Sequence, residues 1–154
     1  MTYAVLRVRG TVNVNPDIKK TLQLMNLTKV NHCVLLEEKP SQKGMLQIAK
    51  DYITWGEIEK DVLTKLIISR GKLNGDKSLT DESIKSLTSF SNIDKLVEAI
   101  INNKYSYKNI PGIKPIFRLN PPKKGYRTIK RSFVRKGSLG YRGKEINKLI
   151  ERMI

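Results

Sequence analysis

The sequence predicts an α+β protein with a β-α-β-α-β core, and three observations support this fold class. Short apolar runs with strand character lie at residues 3–9, 32–37 and 52–55. The two stretches between these runs carry apolar residues at helical spacing. All five elements fit within residues 3–55, so a small sheet with both helices on one face is the economical packing.

The first predicted strand alternates between two faces. One face carries Ala4, Leu6 and Val8, and the other carries Val5, Arg7 and Arg9. If the second face is uncovered, Arg7 and Arg9 point at a partner. Ordinary solvent-exposed arginines account for the same spacing equally well.

Helix-start signals define the next elements. Asn15 is the predicted cap of the first helix, with Pro16 at its first position, and Pro40 opens the second helix. Helical spacing returns over residues 57–70, and Thr80 and Asn92 are predicted caps of two shorter helices. We therefore expect a core over residues 1–56 and a helical insertion over residues 57–110 that packs on it.

The remainder, residues 111–154, is predicted to be a basic extension that ends in a helix. A brief strand is expected at residues 116–119, and Pro121, Pro122 and the glycines that follow favour extended or irregular backbone. The terminal helix is predicted from an apolar stripe formed by Ile146, Leu149, Ile150 and Met153. This stripe is expected to pack against the core or against a neighbouring protein.

Charge is the strongest functional signal. The net charge is +16, and residues 118–144, here called the basic segment, carry ten Lys or Arg and no Asp or Glu. The ten cations are Arg118, Lys123, Lys124, Arg127, Lys130, Arg131, Arg135, Lys136, Arg142 and Lys144. Such a block repels itself and is stabilised by a polyanion, and the interleaved Tyr126, Phe133 and Tyr141 offer rings for bases or sugars. A membrane-surface patch is disfavoured because glycines and prolines prevent an amphipathic helix.

Catalytic and metal-binding patterns are weak. His32 and Cys33 are adjacent on a predicted strand, so their side chains point to opposite faces and do not form a dyad. The carboxylates lie near lysines in sequence, which is typical of solvated faces. The sequence therefore predicts no enzyme, metal site, cofactor or small-molecule substrate, although a small metal-dependent nuclease is the enzymatic alternative. No apolar run reaches the length of a membrane span, and an intracellular chain is expected.

Two separated blocks of the chain then resemble a known family. The N-terminal block comprises residues 5–10, 27–32 and 43–46, and the C-terminal block comprises residues 117–125, 130–133, 137–140 and 146–150. In this order they resemble the ribosomal large-subunit protein L-thirty family, in its longer archaeal and eukaryotic form (L-seven in eukaryotes). Ser138 and Tyr141 depart from the eukaryotic pattern. The lack of a lysine-rich N-terminal extension favours an archaeal source.

The resemblance implies a ferredoxin-like-related core with an antiparallel sheet and a structural, non-catalytic role in the large ribosomal subunit of the cytoplasm. It further implies binding to large-subunit rRNA near the 5S rRNA, beside other large-subunit proteins. The residues it assigns to RNA are Arg7, Arg9, Lys29, Asn31 and Lys43, together with the ten cations of the basic segment. Tyr126 and Phe133 are added to this set as rings that can stack on bases. A free-standing nucleic-acid-binding or chromatin-like protein remains the alternative.

Overall fold

A mixed five-stranded sheet organises the computed structural model, which describes residues 2–154. Its strands are β1 (Thr2–Arg7), β2 (His32–Glu37), β3 (Ile53–Glu57), β4 (Phe117–Arg118) and β5 (Gly140–Tyr141). They lie in the order β4-β2-β1-β3-β5. The three core strands are antiparallel, as the resemblance implied, and β4 is antiparallel to β2. Because β5 runs parallel to β3, the sheet as a whole is mixed.

Six α-helices follow the predicted order. They are α1 (Pro16–Leu24), α2 (Pro40–Ala49), α3 (Lys60–Arg70), α4 (Asp81–Leu87), α5 (Ile93–Ile101) and α6 (Glu145–Glu151). The predicted caps Asn15, Thr80 and Asn92 are confirmed, because each side chain accepts a hydrogen bond from a backbone N–H of the first turn. Helix α3 begins three residues later than its apolar spacing suggested, since β3 extends to Glu57.

Both faces of β1 are buried, and alternate side chains of this strand pack in two different apolar clusters. Tyr3 and Val5 pack in one cluster with residues of α1 and α2, which confirms that the two core helices share a face. Ala4 and Leu6 pack in the other cluster with residues of α3, α5 and α6. The open sheet face that would have turned Arg7 and Arg9 toward a partner is therefore absent at β1.

The terminal helix α6 packs on the core. Its predicted stripe, Ile146, Leu149, Ile150 and Met153, is at most 2% exposed. These side chains share one cluster with Leu66 of α3 and with Phe117 of β4. Residues from the predicted core, insertion and basic extension therefore share one of the two apolar clusters.

Close backbone approach at Gly56 holds α6 against β3. A Cβ added to Gly56 would collide with the carbonyl group of Gly143. The buried Asn147 reinforces this contact, because its amide donates to the Glu57 carbonyl oxygen at 3.1 Å and accepts from the Glu59 N–H at 2.8 Å. These contacts fix the exit of the basic segment at the edge of the sheet.

Candidate nucleic-acid interface

One row of paired residues crosses all five strands: Phe117, Cys33, Leu6, Thr54 and Gly140. Strand β4 leaves this row toward the first residue of β2, because Arg118 pairs with His32. At this end of the sheet β1 stops, and β2 and β3 begin. Strand β5 enters from the same end, because Tyr141 pairs with Trp55. Residues 119–139 must therefore loop beyond this end, which we call the basic end of the sheet.

Asn31 joins the loop to the core. Its backbone has a positive φ of 66°, in the left-handed region that Asn tolerates better than most residues. The Asn31 carbonyl oxygen accepts a hydrogen bond from the Leu119 N–H, and its side-chain Oδ1 accepts one from the Tyr126 hydroxyl at 2.7 Å. Asn31 therefore positions the loop, whereas the resemblance assigned it to direct RNA contact.

The loop keeps its shape through bonds around Ser138, which is 2% exposed. The Ser138 N–H donates to the Thr128 carbonyl oxygen and its hydroxyl donates to the Arg127 carbonyl oxygen, both at 3.0 Å. The neighbouring Gly137 is required because a Cβ there would collide with the Arg131 backbone. The irregular backbone predicted for this segment is thus a closed loop that carries its cations outward.

Arg142 anchors the end of the loop to β3. Its Nε donates to Thr54 Oγ1 and its Nη2 donates to the Ser138 carbonyl oxygen, both at 2.7 Å. Its guanidinium lies 5.0 Å from the centre of the Phe133 ring. Burial, followed by the nearby Arg152, lowers the pKa of Arg142 to about 10, so the group stays charged at neutral pH.

The other cations of the basic segment project into solvent. Nine of them are exposed: Arg118, Lys123, Lys124, Arg127, Lys130, Arg131, Arg135, Lys136 and Lys144. Within residues 2–154, every ion pair uses a lysine outside the basic segment, such as Lys60 with Glu98 or Lys114 with Asp76. The positive field at the basic end is therefore not neutralised by the described residues.

Arg9 and Lys29 lie at the same end of the sheet. Arg9 is half-buried and its guanidinium lies 5.1 Å from the centre of the Tyr52 ring, while Lys29 is exposed. The structure therefore brings these two predicted residues together with the loop cations. They extend the positive surface onto the core.

Lys43 and Lys144 lie away from this surface. Lys43 is at the opposite end of the sheet, where its Nζ forms an ion pair with Glu38 at 3.0 Å. The hydrogen bond and charge of Glu38 raise the pKa of Lys43. Lys144 follows Gly143, which contacts the far part of β3 at Gly56. The described geometry does not join either lysine to the basic end.

Arg7 lies inside the protein, with 3% of its surface exposed. Its guanidinium donates to the carbonyl oxygens of Leu27, Arg9 and Gly10 at 2.7, 3.0 and 3.2 Å. These bonds close the chain around the end of β1. Arg7 shares the face of Val5 that α1 and α2 cover, so the uncovered sheet face that would turn Arg7 toward a partner is absent. Its assignment to RNA contact stays a prediction.

We expect Arg7→Met to lower the free energy of unfolding by about 2–4 kcal/mol, because buried carbonyl oxygens lose a charged donor. Urea denaturation measures this change. The salt dependence of RNA binding should be unaltered for the folded variant. Arg9→Met is the matched control: we expect little loss of stability and a salt slope reduced by about 1. A reduced slope for Arg7→Met would contradict its structural role.

Two of the three aromatic residues of the basic segment, Tyr126 and Phe133, are partly used inside the loop. The Tyr126 hydroxyl is engaged by Asn31, and burial raises the pKa of this tyrosine. Phe133 is half-buried beneath Arg142. Each ring therefore has a structural role within the loop, and each also keeps part of its surface open to a cavity beside α6.

Cys33 and His32 lie in environments that favour the uncharged form of each side chain. Cys33 is fully buried, and burial raises the pKa of its thiol to about 12, so the thiol stays protonated. Burial and then Arg118 lower the pKa of His32, so its imidazole is neutral at neutral pH. Among residues 2–154, no group of three or more His, Cys, Asp or Glu is arranged to hold a metal ion. No helix in that range is long and apolar enough to cross a membrane.

Two cations outside the basic segment, Lys50 and Arg152, also lie beside the loop, and no sequence pattern identified them. Lys50 faces Lys130, Arg131 and Arg135 across an open groove of about 390 Å³. Arg152 of the C-terminal region donates to the Lys123 carbonyl oxygen at 3.2 Å and so lies beside the loop. Only the general excess of Lys and Arg signalled these residues, because their proximity depends on the tertiary fold.

Comparison with known proteins decides the family. A sequence model described as Ribosomal protein L30p/L7e matches residues 3–53. This range runs from β1 through α1, β2 and α2 to the first residue of β3. The large ribosomal subunit protein uL30 of Methanosphaera stadtmanae is 49% identical over 99% of this chain and 99% of its own length. The chain belongs to the ribosomal protein L30p/L7e family. Proteins of the same name from Methanocorpusculum labreanum and Archaeoglobus fulgidus are 44% and 46% identical, each over 98% of this chain and 99% of their own length.

The similarity to L30p/L7e relatives is not confined to the core. The relatives align over nearly the whole chain, so the shared length includes the basic segment and α6 as well as the core. The predicted resemblance is confirmed, and so is its archaeal form.

Proposed function

We propose that this chain is a structural constituent of the large ribosomal subunit and binds large-subunit rRNA through the basic end of its sheet. The supporting observation is the row of exposed loop cations that no carboxylate of residues 2–154 pairs with. On rRNA these groups neutralise phosphates and release counterions. The membership of the chain in the L30p/L7e family supports this reading over other polyanions.

Recognition in this proposal is mainly by shape. Phosphate contacts position the protein without reading sequence, and the closed loop presents them in a fixed arrangement. Specificity then comes from the surface of the folded RNA and from unpaired bases. The proposed role is structural and needs no catalytic residue or cofactor.

The finer placement is in the cytoplasmic ribosome, near the region where 5S rRNA docks, beside other large-subunit proteins. This placement depends on the family resemblance. Contact between the protein and 5S rRNA is tested by crosslinking within purified large subunits and mapping of the crosslinked nucleotides. Crosslinks confined to RNA remote from 5S rRNA would remove this part of the proposal.

Sucrose-gradient cosedimentation tests the ribosomal assignment. We expect the tagged protein to migrate with the large subunit and to remain there at moderate salt. Migration only in the free-protein fractions would contradict the proposal. Lys85→Gln, an exposed substitution on α4, provides a control for nonspecific charge effects.

A free-standing or chromatin-like protein is the second candidate, favoured only by the high net charge of +16. Binding to duplex DNA and to folded large-subunit rRNA at matched salt separates the two. We expect clear preference for folded rRNA. Equal affinity for both nucleic acids would favour the chromatin-like function instead.

A further inference from the structure

A cavity of about 380 Å³ lies between the basic segment and α6. Exposed Lys124 and Arg127 line it, as do Phe133 and Leu149, of which Leu149 is 2% exposed. The exposed cations therefore stand at the mouth and the apolar side chains lie deeper. This volume falls within the range of small-molecule sites.

A further polar group lines the cavity. The Arg142 side chain uses its Nε and Nη2 within the protein, whereas its Nη1 has no hydrogen-bond partner among residues 2–154. Because the guanidinium is braced by Thr54 and Ser138 and lies over Phe133, its position is fixed before any ligand arrives. Such a preorganised planar cation suits a planar, polar ligand.

We propose that this cavity holds one unstacked RNA nucleotide, with its base beside Phe133 and Leu149 and its flanking phosphates on Lys124 and Arg127. The proposal rests on the proposed rRNA-binding function and adds a base-binding site to it. Phosphate alone would need only the cations at the mouth. An aromatic ring and a guanidinium plane are the groups that hold splayed bases in RNA-binding proteins.

The second groove on this surface gives a useful contrast. It is lined by four cations, Lys50, Lys130, Arg131 and Arg135, and by one carboxylate residue, Asp51, with no aromatic side chain. Its chemistry fits a phosphate rather than a base. The two sites therefore divide the basic end into a backbone-binding part and a base-binding part.

The test compares two short probes on the wild-type protein. One is penta-uridylate, and the other is an abasic ribose-phosphate chain of the same length and charge. We expect penta-uridylate to bind about tenfold more tightly, in the range for one base stacked on an aromatic side chain. Equal affinities would overturn the base-binding proposal without requiring any variant to fold.

Two variants locate the effect. Phe133→Leu should abolish the difference between the probes, because binding of penta-uridylate falls to the level of the abasic chain. Arg127→Gln should weaken both single-stranded probes, and Lys85→Gln should weaken neither. If Phe133→Leu folds and retains the full difference, the base lies elsewhere and the proposal fails.

The failures of the two proposals are distinguishable. Equal binding of the two probes by the wild-type protein, with duplex RNA and ribosomal subunits still bound, contradicts only the nucleotide cavity. Failure of the wild-type protein to bind duplex RNA, penta-uridylate and ribosomal subunits contradicts the proposed rRNA-binding function as well. Thermal unfolding of each variant confirms that the comparison is made between folded proteins.

Discussion

Replacing six exposed cations of the basic segment with glutamine will weaken rRNA binding strongly and flatten its dependence on salt. The six are Lys123, Lys124, Arg127, Lys130, Arg131 and Arg135. If each neutralises one phosphate, the slope of log affinity against log salt will fall in magnitude by about 4–5. At about 0.1 M salt, the affinity is expected to fall on the order of a thousandfold or more.

Fluorescence-anisotropy titrations over a salt series measure both effects. The charge-matched control replaces six lysines outside the basic end, namely Lys20, Lys77, Lys85, Lys95, Lys104 and Lys108, which are all exposed. This variant has the same net charge and should keep most of the slope. An equal loss of slope in the two variants would show that binding depends on total charge rather than on the basic end.

Neutralisation is a cleaner experiment than truncation for a structural reason. A chain cut after Pro115 loses Phe117 and the buried stripe of α6, which belong to the same apolar cluster as Leu66. The truncated chain would lose part of its interior together with its charge. Reduced RNA binding by that chain would therefore not separate charge from folding.

The second large effect is on stability: Phe117→Ala should lower the free energy of unfolding by about 3–5 kcal/mol. Phe117 is 0% exposed and its ring stacks on Tyr107 at a centroid distance of 4.9 Å. It also pairs across strands with Cys33. Removing the ring leaves a cavity at the point where the basic segment leaves the core.

Urea denaturation followed by circular dichroism measures this change. Phe117→Leu keeps most of the apolar volume and should cost less than Phe117→Ala, because a smaller cavity remains. Val134→Ala is the exposed control, since Val134 is 87% exposed and should change stability little. A loss below about 1 kcal/mol for Phe117→Ala would mean that the surrounding side chains close the cavity.

Elements that depend on local sequence were predicted well. Strand β2 and helices α2 and α5 have the expected positions, and the three predicted caps bond as expected. These features follow from the period of apolar residues and from side chains that satisfy the first turn of a helix. Each depends on residues within a few positions of one another.

The candidate site was only partly predictable. The ten cations were found from charge alone, but Arg142 proved to be a partly buried anchor and Arg7 a donor to three carbonyl oxygens. Strand β5 has two residues and pairs with Thr54 and Trp55, far away in sequence. No local pattern identifies so short a strand.

Local periodicity, composition and motif order suffice to identify the family, the β-α-β-α-β core and the acid-free positive segment. The folded structure is needed to show which cations lie close together. Pairing of β4 with β2 and of β5 with β3 carries the loop across the basic end, places Lys29 beside it and leaves Lys43 at the opposite end. The physical reason is that these pairings join residues distant in the chain, so their geometry depends on how the whole sheet packs.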